Sequence, residues 1–254
     1  MKSKQASKIT PKARGSKRLM SELLTDTRQY IEQAEHADVE TLRQFLLANP
    51  ERPLIAMGHG GAHSSASYAS LLYGTNCGLG RVVTPYEANS FSDETIRNSK
   101  LLLVSTSLKN QDAVYIADRM IRVNPQHSCV LTMSQDENTM MKRMMKNNPN
   151  SVIRHSFDCA DGFISVNGTF IYFSLLYKAF TGDADFSRRL VLSSESADNY
   201  TYRCVDGITT PPDLGSISQF TVLYGSYGEP VAYKMESNMT EAGLASCVIS
   251  DFRD

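Results

Sequence analysis

Three consecutive hydroxyls, Ser105-Thr106-Ser107, follow directly on the apolar run Leu101-Leu102-Leu103-Val104. Lys109 then adds a cation and Asn110 an amide before the next helical stretch begins. Hydroxyls at the carboxyl end of a buried strand, backed by the N–H groups that a helix N-terminus leaves without partners, suit an anion, and phosphate above all. The structural alternative is plain N-capping by Ser107 or Asn110, but a cap needs one side chain and here there are three hydroxyls. A second turn, Gly58-His59-Gly60-Gly61-Ala62-His63-Ser64-Ser65, ends the run Pro53-Leu54-Ile55-Ala56-Met57. Its glycines allow backbone amides to close on a ligand, and Ser64 offers a hydroxyl. Gly60, Gly61, Ser64, Ser105, Thr106, Ser107 and Asn110 are therefore the candidate ligand contacts.

The same physics serves dinucleotides, whose fingerprint is GxGxxG with an acidic residue after the second strand. Gly58 and Gly60 fit its first half, His63 stands where the third glycine belongs, and Glu87 lies at about the right distance. Nucleotide binding stays open as an alternative on these residues. His59 and His63, four apart, could share a helix face, but no acidic ligand is near them in sequence, and zinc is not expected. His63 is the histidine placed to touch a phosphate or a sugar hydroxyl.

Both turns need a scaffold that brings strand ends together. Short apolar runs alternate with helical periodicity from residue 53 to 180: strands at 53–57, 81–84, 101–104, 128–132 and 151–155, helices at 64–73, 112–122, 138–146 and 165–180. Two amphipathic helices precede them, with Ser21 and Asp38 as candidate caps. This alternation implies a parallel sheet with helices on both faces, and ligands in such sheets bind outside the carboxyl ends of the strands. The Met140, Met141, Met144 and Met145 cluster reads as core filling. After residues 191–217, a connector, the order strand, glycine turn, helix, strand restarts at 220–224, 225–228, 229–242 and 245–250. The expected fold is an α/β three-layer sandwich with a mostly parallel, flavodoxin-like or Rossmann-like sheet at 20–190, plus an incomplete second βαβ unit at 218–254.

The motif order resembles the sugar isomerase (SIS) family. Its Gly-x-Gly-x-Ser turn corresponds to residues 58–62, its Ser-x-Ser-Gly-(Glu/Asp)-Thr turn to 105–110, and its entry to a closing helix to Gly162-Phe163-Ile164-Ser165-Val166. Ala62 departs from the family's serine, and Leu108, Lys109 and Asn110 from its glycine, acid and threonine. The resemblance implies phosphosugar binding, adds Ser165 to the ligand contacts, and suggests aldose–ketose isomerase or sugar-phosphate deaminase ancestry in a homo-oligomer. In two-copy members an essential glutamate and a histidine come from the second copy. Glu236 and Glu241 are the carboxylates here placed to serve as catalytic base, with a solvated helix face as the bland alternative. A non-catalytic sugar-phosphate sensor or scaffold is the rival reading.

Composition bounds the rest. A net charge of −1 over 254 residues offers no global field for nucleic acid or acidic lipid. The basic residues within 1–19 read as a solvated, disordered tail. No apolar run approaches the roughly 18 residues that span a bilayer. Five cysteines, with no CxxC pair, read as small buried hydrophobes in a reducing, cytoplasmic compartment. No cofactor and no metal are expected, and HExxH, P-loop and GxSxG patterns are absent from the sequence.

Overall fold

The computed structural model describes residues 20–134, 137–157, 167–183, 219–225, 227–242 and 246–251. The expected basic tail, the entry turn that contains Ser165, and most of the connector lie outside the described residues.

Five strands form one parallel sheet: β1 (Leu54–Met57), β2 (Gly80–Val83), β3 (Lys100–Val104), β4 (Ser128–Thr132) and β5 (Val152–Arg154), in the order β2-β1-β3-β4-β5. β1, β3 and β4 are buried on both faces, so they read as continuous apolar runs rather than alternating ones. Residue parity then assigns each side chain to a face. Leu54, Ala56, Leu102, Val104, Cys129 and Leu131 belong to one core cluster. Ile55, Met57, Leu101, Leu103 and Val130 belong to the other.

The first face is covered by α1 (Met20–His36), α2 (Glu40–Leu47), α3 (Gly61–Asn76) and α8 (Asn167–Thr181). The second is covered by α4 (Pro85–Ala88), α5 (Asp93–Asn98), α6 (Gln111–Val123) and α7 (Thr139–Asn147). The result is the expected α/β three-layer sandwich. α4 and α5 were not foreseen. Thr84 and Glu87 start α4 with a reciprocal capping box, and Ser92 caps α5 by accepting from the Thr95 amide. Ser21 is already inside α1, and the N-cap of α2 is Val39 rather than Asp38, although Asp38 accepts from the Glu40 amide at 2.9 Å.

Small residues let α3 lie close on the sheet. A β-carbon on Gly80 would stand 2.2 Å from the Ser70 carbonyl oxygen, closer than any real contact. Lysines complete two other helix ends. Lys178 Nζ donates to the Glu35 and Ala37 carbonyls at 2.6 Å each, at the end of α1. Lys100 Nζ, fully buried, donates to the Leu46 carbonyl at 2.8 Å and to that of Ala48, at the end of α2.

β6 (Gln219–Tyr224), α9 (Glu229–Ala242) and β7 (Ser246–Asp251) form a βαβ unit whose two strands pair in parallel. α9 packs against α3: the Ser67 hydroxyl donates to Glu229 Oε2 at 3.3 Å, and the Tyr233 ring meets His63 edge-on at 4.5 Å.

Candidate functional site

In the strand order β2-β1-β3, the chain leaves β1 toward one side and returns through β3 on the other. Connections diverge at that point, opening a crevice at the carboxyl ends of β1 and β3. A hollow of about 200 Å³ lies there, walled by His59, Gly61 and Ala62 from the first turn and Ser105, Thr106, Ser107 and Asn110 from the second. Pro85, Leu103, Val104 and Ala113 complete it.

The Ser105–Asn110 turn has a defined polarity. Leu108 adopts φ +50°, a left-handed conformation that costs a side-chain-bearing residue about 1 kcal/mol or more. Its side chain is buried in the core, which anchors the turn from beneath. The Leu108 amide donates to Ser105 Oγ at 3.0 Å. The carbonyls of the turn are drawn to the β4–α7 side. Thr132 Oγ1 donates to the Thr106 carbonyl at 3.0 Å. Asn138 Nδ2 donates to those of Ser107 and Leu108 at 3.2 and 3.1 Å. Engaging the carbonyl oxygens elsewhere removes their repulsion from an anion. The hydroxyls of Thr106 and Ser107 make no hydrogen bond among the described residues and stand in the wall of the hollow.

Asn110 does what the simpler sequence reading allowed. Its Oδ1 caps α6 by accepting from the Ala113 amide at 3.1 Å, while the residue also lines the hollow. On the facing turn, Gly58 is required by close approach: a β-carbon there would stand 2.3 Å from the Ala62 carbonyl oxygen. Gly60, at φ +54° and ψ −133°, takes a conformation that side-chain-bearing residues avoid, and it directs the chain into α3.

The structure thus brings Gly61, Ser105, Thr106, Ser107 and Asn110 together around one hollow. Gly60 shapes the turn without lining it. Ser64 requires a correction: it is fully buried within α3 and stands outside the wall, so its hydroxyl does not substitute for the one Ala62 lacks. The rotation of α3 turns Ala62 toward the hollow and Ser64 into the packing. Glu236 lies on α9, near enough to act electrostatically on His63, and does not line the hollow. Glu241 belongs to α9, and its side chain lies outside the described residues.

His63, the histidine expected at the ligand, does not line the hollow. His63 is packed between α3 and α9, with Nδ1 3.3 Å from the Gly58 carbonyl oxygen. Burial lowers its pKa below the ordinary imidazole value, against the raising effect of the Gly58 hydrogen bond and of Glu87, Glu229 and Glu236. His59, exposed, is the imidazole in the wall. Sequence reasoning passed over it and over Pro85. The nucleotide alternative weakens at Glu87, whose Oε2 accepts from the Thr84 amide and hydroxyl at 2.7 and 2.8 Å and is committed to capping α4. No group of three or more His, Cys, Asp or Glu with metal-binding geometry occurs among the described residues, and no described helix is long and apolar enough to cross a membrane.

No family model and no curated protein matches the sequence. Solved structures share its fold. A protein from Salmonella typhimurium LT2 described as sugar binding superposes with a TM-score of 0.59 at 14% identity, over 93% of this chain and 75% of that one. The C-terminal domain of glucosamine-fructose-6-phosphate aminotransferase from Francisella tularensis gives 0.63 at 11%, over 93% and 70%. A protein from Clostridium difficile 630 described as a phosphosugar isomerase gives 0.54 at 11%, over 93% and 69%.

Proposed function

This chain has the fold of a sugar isomerase (SIS) domain, and we propose that it binds a sugar phosphate in the hollow between the carboxyl ends of β1 and β3. The observation that carries the reading is the polarity of the Ser105–Asn110 turn. Its carbonyls are held by Thr132 and Asn138, while the Thr106 and Ser107 hydroxyls stand in the wall. Such a wall offers hydrogen-bond donors to the phosphate oxygens, with His59 and Pro85 completing the hollow.

Binding comes first in this reading, and turnover second. Isomerisation or deamination of the sugar requires a base that removes a proton from carbon. Glu236 or Glu241 on α9 would have to bring that carboxylate. The polar groups lining the hollow are themselves hydroxyls, an amide side chain and an imidazole. A sensing or scaffolding role therefore stands beside an enzymatic one. The βαβ unit of β6, α9 and β7 fits a second copy of the SIS unit, and its exposed Leu223 and Val248 fit self-association into a homo-oligomer.

The test is a thermal-shift and calorimetric titration with fructose 6-phosphate, glucosamine 6-phosphate and the parent sugars, coupled to a turnover assay. Stabilisation by the phosphates and not by the sugars supports the reading. Turnover would make it enzymatic. No stabilisation by any phosphate ester at 10-fold above ordinary metabolite concentrations, roughly 10 mM, would overturn it.

A further inference from the structure

His59 stands in the wall of the hollow, across from the hydroxyl turn, on the strained link that Gly60 makes into α3. Its ring makes no hydrogen bond among the described residues. Of the residues that line the hollow, it is the one whose side chain can carry a positive charge. The other polar groups there, Ser105, Thr106, Ser107 and Asn110, are neutral donors. A phosphomonoester carries close to two negative charges at pH 7, with a second pKa of about 6. Neutral donors alone leave that charge without a counter-charge in the wall, and charge-assisted hydrogen bonds are roughly twice as strong as neutral ones.

We propose that His59 is the counter-ion of this site: as imidazolium it donates to the phosphoryl group or to an adjacent oxygen of the bound ester. The proposal rests on the sugar-phosphate reading and names the residue that sets its selectivity for dianions over neutral sugars. Ionisable groups on the elements around the hollow include Lys109 and Asp112 beside the hydroxyl turn, Asp118, Arg119 and Arg122 further along α6, Glu87 on α4, His63 on α3, and Glu229, Lys234 and Glu236 on α9. His63 is engaged by Gly58 and Tyr233, and Glu87 by Thr84, which leaves His59 as the group in the wall that can meet the phosphoryl charge.

Below about pH 6 a phosphomonoester loses its second charge, so the comparison belongs at pH 7. His59→Asn keeps a neutral donor of similar reach and should bind fructose 6-phosphate about tenfold more weakly than wild type. The His59 C2 proton resonance should move when fructose 6-phosphate is added and stay in place with fructose. If His59→Asn and wild type bind with the same affinity, the proposal fails while the phosphate site stands. If neither chain binds fructose 6-phosphate or inorganic phosphate at any pH, the proposal and the reading of the site fall together.

Discussion

Asn138 fixes Leu108: its Nδ2 donates to the Leu108 carbonyl at 3.1 Å, and its Oδ1 accepts from the Met141 amide at 2.9 Å. One side chain thereby starts α7 and holds the strained residue of the anion turn, 30 positions earlier in the sequence. The same Nδ2 also reaches the Ser107 carbonyl at 3.2 Å. Asn138→Asp separates these tasks. A carboxylate still caps the helix, but it repels the two carbonyl oxygens instead of binding them. Affinity for fructose 6-phosphate should fall about tenfold, with a loss of stability of only about 1 kcal/mol. Asn138→Ser, a neutral cap too short to reach the turn, should behave alike in calorimetry. Wild-type affinity in both variants would mean that the turn keeps its shape without Asn138.

Leu108 makes a comparison that an ordinary core leucine does not. It is almost wholly buried, so Leu108→Ala should destabilise by about 3 kcal/mol through lost burial and the cavity left behind. At an ordinary position glycine would cost about 1 kcal/mol more than alanine. At φ +50° the left-handed conformation favours glycine by about the same amount or more. Leu108→Gly should therefore be no less stable than Leu108→Ala in urea unfolding. A clear deficit of the glycine variant would show that the turn relaxes out of the left-handed region when the leucine is removed.

The hydroxyls themselves are open to deletion. Ser105→Ala combined with Ser107→Ala should weaken phosphate-ligand affinity by about 1–3 kcal/mol, because charged hydrogen bonds are lost. The two residues act differently. Ser105 Oγ also accepts from the Leu108 amide, so its loss loosens the turn as well. Ser107 has no such task, and Ser107→Ala should reduce affinity while leaving Tm unchanged. Unchanged affinity in the double variant, measured by calorimetry, would remove this turn from the site.

Much of this was legible in the chain. The apolar runs that end at Gly58 and at Val104 mark β1 and β3, because strands buried on both faces cannot alternate. Asn138 was readable as the start of α7, and residues 229–242 as α9. What was missed depends on distance or on one dihedral angle. α4 and α5 span 4 and 6 residues, too short for a 3.6-residue period to emerge, although Thr84 and Glu87 spell a capping box. The grip of Thr132 and Asn138 on the anion turn exists because β4 pairs with β3, which no local pattern reveals. That His59 rather than His63 lines the hollow follows from the turn at Gly60, whose φ and ψ no sequence pattern reveals.

Lys100 allows a prediction about stability rather than binding. Its ammonium is buried at the start of β3, where it caps α2 and also reaches Tyr73 Oη at 3.4 Å. Burial pushes its pKa down to about 8, with Cys77 and Glu51 opposing and Arg52 adding slightly. In the unfolded chain a lysine titrates near 10.4. Between about pH 8 and 10 the unfolded state therefore holds more protons at this site than the folded one, and its contribution to stability rises with pH. Tyr73, pushed up to about 12 by burial, and Cys77, also raised by burial, work in the opposite sense as pH rises. The informative quantity is thus a difference. Lys100→Met leaves the Leu46 and Ala48 carbonyls without their donor and should cost about 1–3 kcal/mol at pH 7. That deficit should grow from pH 8 to pH 10, because the wild type is relieved of a buried charge that the variant never carried. Urea unfolding of both chains at pH 7, 8, 9 and 10 measures it, and a deficit that stays constant or shrinks over this range would show that folding does not lower the pKa of Lys100.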